Sequence, residues 1–308
     1  MDPNGVLRRD FELQLGRRQL RRLDASFLWD EVAARMLNRM QWVRQVPQSV
    51  LVLGDSRLGD AQRLAQSYPN AIVLEFSVAR QSRVEARLGV AEVGLLRGAW
   101  RELSAQAGVL SRLRELLRKP KSSGVLRLAG SPMPLGLRDS VVDLLWLNGM
   151  LHWWSDWPGQ LRELRRAARP GALLSFSLLG VDSFSQLRPL APGLMRFPDM
   201  HDLGDALVRA GWAEPVVDME RIDLSWREVD TMLRDLRAIG GNCLDGRFGG
   251  MRGRKWYASV LQSLETLRDA DGLLRVQLEL ILGHAWRAGD PDKSHAWKPV
   301  RVARKSPG

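Results

Sequence analysis

VVDLLWLNGMLHWWSDWPGQLRELRRAARPGALLSFSLLG, residues Val141 to Gly180, decides the fold. Val141 to Leu147 is an apolar run broken only by Asp143, and runs this short suit a strand covered on both faces. Asn148 to Trp157 then loses periodicity and gathers Asn, Gly, His and Trp. Pro158 stands in the first turn of a predicted helix, where its missing N–H costs nothing. Leu161, Leu164 and Ala168 share one face of that helix, while Arg162, Glu163, Arg165 and Arg166 face water. The Pro170-Gly171 pair predicts its end, and Leu173 to Leu179 the next buried strand. Strand, helix and strand joined this tightly form a parallel crossover unit in an open α/β sheet. Asp143, a single carboxylate in its strand, is expected at a turn or among donors, because a bare buried charge is costly.

Upstream, Val50 to Leu53 reads as the first strand, Asp60 to Tyr68 as a helix and Ala71 to Leu74 as the second strand. Glu75-Phe76-Ser77 follows directly. In such sheets ligands sit beyond the carboxyl ends of the strands, and a carboxylate after the second strand can accept both hydroxyls of a ribose. Residues 81–124 hold more helix than a simple sheet needs, as a helical insertion whose end is made basic by Arg112, Arg114, Arg118, Lys119 and Lys121. Val125 to Ala129 is the third strand. At the start of the chain, residues 1–46 form a charged segment and an amphipathic helix, with Phe27, Leu28, Val32, Met36, Leu37, Met40 and Val43 at helical spacing.

Downstream, Asp199 or Asp202 caps a helix ending at Gly211. Pro215 to Ile222 and Leu274 to Trp286 read as strands, with helices at Trp226 to Ile239 and Lys255 to Ala270 forming a cap over 226–270. The expected sheet therefore uses residues 50–54, 71–75, 125–129, 141–147, 172–178, 214–221 and 275–286, the last antiparallel to its neighbours. The main α/β domain is 47–286, and 287–308 is a basic, loose tail.

Composition bounds the rest. Among 308 residues 45% are hydrophobic, enough for one large core. The single cysteine, Cys243, excludes an internal disulfide and fits a reducing compartment. No apolar run reaches the roughly 20 residues that span a bilayer, and the N-terminus lacks a signal's apolar core, so the chain reads as soluble and cytoplasmic. A net charge of +11 steers acidic partners. Twelve Trp beside only two Tyr give no base-stacking array, so nucleic acid is not the expected partner. Four scattered His without paired spacing argue against a metal site. His201 and His284 read as capping or packing residues.

D-L-L-x-x-N-x-x-L-H-W from Asp143, then D-x-P-x-x-L-R-E-L-R-R and P-G-A-L-L-S-F-S, resembles the class I S-adenosylmethionine methyltransferases. More narrowly it resembles the BioC-like group, the malonyl-acyl-carrier-protein O-methyltransferases of biotin synthesis. Asp235-Leu236-Arg237, Gly240, Asn242 and Gly283-His284-Ala285-Trp286 extend the likeness. It implies a Rossmann-like sheet, mostly parallel with an antiparallel edge strand and with N-terminal and inserted helices. It also implies S-adenosylmethionine as cofactor and an acidic acyl carrier protein as partner. In the family the N-terminal helix covers the substrate entrance.

The cofactor loop departs from the family's D-x-G-x-G-x-G. Val52-Leu53-Gly54-Asp55-Ser56-Arg57-Leu58-Gly59 keeps Gly54 in register, but has Val52 for the carboxylate and Ser56 and Leu58 for glycines. Close glycines matter because the adenosyl group packs against bare backbone. After the third strand, where the family places an Asp for the adenine amino group, Ser131 offers only a hydroxyl. The cofactor candidates are Gly54, Asp55, Ser56, Glu75, Ser131 and Asn148; His152 and Trp153 are pocket candidates. A carboxylate acceptor is already a nucleophile, so no catalytic dyad is required. Two readings stay open: an active carboxylate methyltransferase with a displaced loop, or a degenerate relative acting in binding or complex assembly.

Overall fold

The structure, a computed structural model, describes residues 26–54, 58–77, 125–129, 135–154, 156–189, 197–240 and 253–289. The predicted insertion 81–124 and the tail after 289 lie outside them. Strands β1 (Ser49–Leu53), β2 (Ile72–Ser77), β3 (Val125–Ala129), β4 (Val142–Leu147), β5 (Ala168–Leu179), β6 (Trp212–Trp226) and β7 (Leu274–Arg287) form one sheet. Its order is β3-β2-β1-β4-β5-β7-β6. The first five strands are parallel; β7 runs antiparallel to both β5 and β6. Helices α1 (Ser26–Met40), α2 (Asp60–Ser67), α3 (Trp157–Ala167), α4 (Met200–Arg209), α5 (Val229–Ile239) and α6 (Arg254–Glu265) cover it. No described helix is long and apolar enough to cross a membrane.

Two cores result, one on each face of the sheet. On one, Trp29, Val32, Met36 and Met40 of α1 and Ala61 and Leu64 of α2 pack with Val52, Trp146 and Leu173, and α5 and α6 join them. On the other, Leu161 and Leu164 of α3 and Leu203 and Leu207 of α4 meet Leu145, Leu174 and Phe176. Strand residues alternate between the two faces, so a central strand is apolar throughout. That is why β4 and β5 carry near-continuous apolar runs.

Asp143 is held as expected. Its Oδ2 accepts from the amides of Gln48 (3.0 Å) and Ser49 (2.9 Å) and from Ser49 Oγ (2.8 Å), and Arg169 Nη1 lies 3.0 Å away. Burial pushes the carboxyl up, but these bonds outweigh it and hold it below the usual aspartate range. The carboxylate thus ties the amino ends of β1, β4 and β5 together.

Several boundaries differ for identifiable reasons. The Pro170-Gly171 pair does not stop α3: Asp156 caps the start by accepting from the Gly159 amide, and the chain turns extended at Ala168. Pro170 and Gly171 instead lie inside β5. Val142 pairs with Ala168 and Leu144 with Leu173, so the extra residues form a bulge that Gly171, at φ +80°, accommodates. Ala168 consequently belongs to a strand, not to the helix face. Strand β2 runs to Ser77, which places Glu75 within it, and β6 runs to Trp226, so that α5 begins only at Val229. Trp226 is held there by its indole N–H on Asp235 (2.8 Å).

Candidate functional site

The carboxyl ends of β1, β2, β4 and β5 lie side by side, which is where open α/β sheets place ligands. Val52 pairs with Glu75 on one side and with Trp146 on the other. Past Leu53 the chain leaves the strand at Gly54, whose amide still donates to the Phe76 carbonyl (3.2 Å). A side chain placed on Gly54 would meet no atom of the described residues within 4 Å, and the same holds for Gly59. Backbone without a Cβ at both ends of this loop, clear of the described side chains, suits an approaching adenosyl group. Asp55, Ser56 and Ser131 lie outside the described residues.

Glu75 is 1% exposed, on the same sheet face as Val52. A merely solvated strand-end glutamate is therefore not what the fold builds; a buried carboxylate needs a polar partner. Val52 and Leu58, which stand where the family has Asp and Gly, are themselves core residues, 2% and 4% exposed. They pack in one cluster with Ala61 and Leu64.

Asp60 escaped the sequence reading except as a helix start. It begins α2 and is 6% exposed. Its carboxylate accepts from the Trp146 indole (3.3 Å) and from Arg63 (3.1 Å), and Arg63 also reaches Asp30 of α1 at 2.5 Å. Asp60 thereby supplies a buried acid beside the glycine-poor loop and links β4 to the N-terminal helix. The available signal was an acidic residue directly after Gly59, whose φ of +77° puts it in the left-handed region.

At the end of β4 the side chains are densely committed. The Asn148 amide donates to the Trp29 carbonyl (2.9 Å), and its oxygen accepts from Ser177 Oγ (3.0 Å). Ser177 Oγ in turn accepts from the Gly149 amide (2.8 Å). Gly149 has φ +59°, and a Cβ there would fall 2.1 Å from the Trp29 ring. Helix α1 is therefore clamped directly over this strand end.

His152 and Trp153 form a short 3-10 turn, Leu151–Trp153, and both are buried. The His152 ring stacks on Trp29 (centroids 6.2 Å) and meets Phe197 edge-on (5.4 Å), while the Leu179 amide points at its Nδ1 (3.4 Å). Trp153 tilts against His152 at 5.7 Å. The structure thus brings Asn148, His152 and Trp153 together at one strand end, with Gly54 and Glu75 at the neighbouring strands. His201 lies elsewhere: its amide and ring nitrogen meet Asp199, the cap of α4, at 2.7 and 3.0 Å. Among the described residues no three His, Cys, Asp or Glu converge as metal ligands.

A parallel half-sheet with a reversed β7 beside β5 is the arrangement of a Rossmann-like methyltransferase. The YcgJ protein of Bacillus subtilis has the same fold, with a TM-score of 0.51 at 11% identity over 84% of this chain and 99% of its own. Residues 99–176 match the methyltransferase domain family. The malonyl-acyl-carrier-protein O-methyltransferase of Nitrosospira multiformis is 34% identical over 270 residues, 85% of this chain and 83% of its own. That of Gallionella capsiferriformans is 35% identical over 272 residues, covering 86% of each. That of Laribacter hongkongensis is 36% identical over 270 residues, 85% of this chain and 84% of its own. The chain belongs to the malonyl-acyl-carrier-protein O-methyltransferase family.

Proposed function

We propose that this protein methylates the free carboxylate of a malonyl group carried on an acyl carrier protein, with S-adenosylmethionine as donor. The observation that carries the reading is identity above 30% to enzymes of that name across about 85% of the chain. Gly54, whose Cα no described side chain crowds, and the buried Glu75 would hold the donor. Asp60, beside the same loop, offers the acid that Val52 lacks. When bound, S-adenosylmethionine supplies an electrophilic methyl group on a sulfonium.

A malonyl carboxylate is ionised at neutral pH and needs no base, so the protein's work is alignment and exclusion of water. Trp29, at 0% exposure across the end of β4, does the excluding. His152, buried between Trp29 and Phe197, shapes the acceptor side and has no proton to move in this reaction. We further propose that residues 1–46 act as a cap, 47–286 as the catalytic domain and 287–308 as a tail. An acidic carrier suits the net charge of +11.

One observation favours the second reading, a degenerate relative acting in assembly: Val52 and Leu58 fill core space at the loop. Calorimetric titration with S-adenosylmethionine decides. The enzyme reading expects binding in the micromolar range, weakened by Glu75→Gln about tenfold or more, since a charge-assisted hydrogen bond is worth about 1.5–3 kcal/mol. No binding by a folded wild-type chain would leave the assembly reading.

A further inference from the structure

A cavity of about 390 Å³ lies between the C-terminal half of α1 and the β5–β7 part of the sheet. It is not the methyl-transfer end. Trp29 marks that end of α1, and Met40 lines the cavity 11 residues further on, roughly 16 Å away at 1.5 Å per residue. Val32 and Ala33, both fully buried, stand between them.

The walls are largely apolar, with Met36, Met40, Leu173 and Leu282 prominent. Polar residues line it too: Gln45 and two arginines on the helix side, and on the sheet side Ser175 and His284, which are direct cross-strand partners on β5 and β7. Ser175 is 5% exposed. Neither its hydroxyl nor the His284 ring forms a hydrogen bond with another described residue. Neither group is among the fully buried polar atoms, so both face the open space of the cavity, where the polar end of a ligand can meet them.

The charge around them is positive. Arg39 is bonded to Asp218 (2.7 Å) and Glu220 (3.3 Å), whereas Arg44 has no acidic partner among the described residues. Both line the cavity, and so does Trp42, which is 88% exposed. Burial and the nearby Arg39 lower the His284 pKa against the opposing charge of Asp218, so at neutral pH the ring is uncharged and donates from one nitrogen.

We propose that this cavity binds an aliphatic monocarboxylate of medium chain length, with its chain against Met36, Met40, Leu173 and Leu282 and its head group on Ser175 and His284 in the field of Arg39 and Arg44. The volume falls in the range of small-molecule pockets, about 300–1,000 Å³. A carboxylate supplies the acceptors that the hydroxyl, the imidazole N–H and Arg44 lack. A thioester-linked acyl group is neutral at its head and makes no use of the arginines. The site is distinct from the donor and acceptor ends and does not depend on the reading of them.

The test is calorimetric titration of the full chain with decanoate, with decanol as the neutral control. Decanoate should bind about tenfold or more tighter than decanol, the discrimination expected of one charge-assisted hydrogen bond. Arg44→Glu, a change at an exposed position, should remove most of that preference, and Ser175→Ala should weaken decanoate alone. Addition of S-adenosylmethionine should leave decanoate binding unchanged. Equal binding of acid and alcohol, or no binding, would overturn the proposal, as would competition by S-adenosylmethionine. Decanoate binding that appears only in a chain ending at Gly289 would overturn it too, by assigning the cavity to residues 290–308.

Discussion

The ends of β1 and β4 lie next to each other in one sheet yet are built by opposite means. At β4, Asn148, Gly149, Ser177, Trp29 and His152 interlock, so every side chain has a neighbour that fixes it. At β1, Gly54 and Gly59 meet no close neighbour among the described residues, and the acids nearby, Glu75 and Asp60, are buried. One end is defined by what is there and the other by what is left out. A carboxylate acceptor needs shape and dryness around it, whereas a nucleoside donor needs access to backbone. Loss of glycines at the β1 loop is therefore the serious departure, and substitutions at β4 are chiefly changes of packing.

The largest expected effect breaks the interlocked end. Trp29→Ala removes the ring that covers Gly149 and stacks on His152, and should cost about 3–5 kcal/mol in chemical denaturation. A cost below about 1 kcal/mol would mean that α1 does not clamp β4 at all.

Next is the open end. Leu58 is 4% exposed in the α2-side core, so Leu58→Ala should cost about 2–5 kcal/mol. Restoring the family glycine there should likewise lower the melting temperature while widening the loop. A Leu58→Gly chain that melts unchanged and gains S-adenosylmethionine affinity would show that Leu58 intrudes on the donor rather than supporting the fold.

Smaller effects come from two carboxyls of opposite sign. Asp143 is held below the usual range, so the native state favours the ionised form. Its contribution is present above the ordinary aspartate value and fades as the pH falls through the lower native value. Asp143→Asn should cost about 1–3 kcal/mol at neutral pH and progressively less in acid. Glu279, at 5% exposure near the end of β5, behaves inversely. Burial raises its pKa, outweighing the Asp182 amide that points at it, and the negative charges of Asp182 and Asp199 add to the rise. Stability should then decline as the pH climbs from the ordinary glutamate value through the raised one, and Glu279→Gln should flatten that decline in a series of melts across pH.

The weakest effect expected is electrostatic. Binding of an acidic carrier protein should loosen steadily with added salt, because exposed charges are screened within about 8 Å at physiological ionic strength. Binding indifferent to salt would transfer recognition from the net charge to contacts at the β4 end.

The sequence by itself determined the existence and order of the β4–α3–β5 unit, because strand and helix periodicities there are strong and Pro158 marks the start of the helix, but not the boundary between α3 and β5. It also required partners for Asp143, since a buried charge cannot be left bare. Glu75 was legible as a site candidate by its place after an apolar run, but its burial was not. Tertiary structure alone decided that Pro170-Gly171 forms a bulge, because the register between β4 and β5 is set by pairing across the sheet and not by local propensity. It alone put Trp29 over Gly149, 120 residues away in the chain, and joined Asp60 to Trp146. It alone set Ser175 beside His284 in an apolar cavity. Contacts between residues so far apart depend on how layers pack, and no local pattern encodes them.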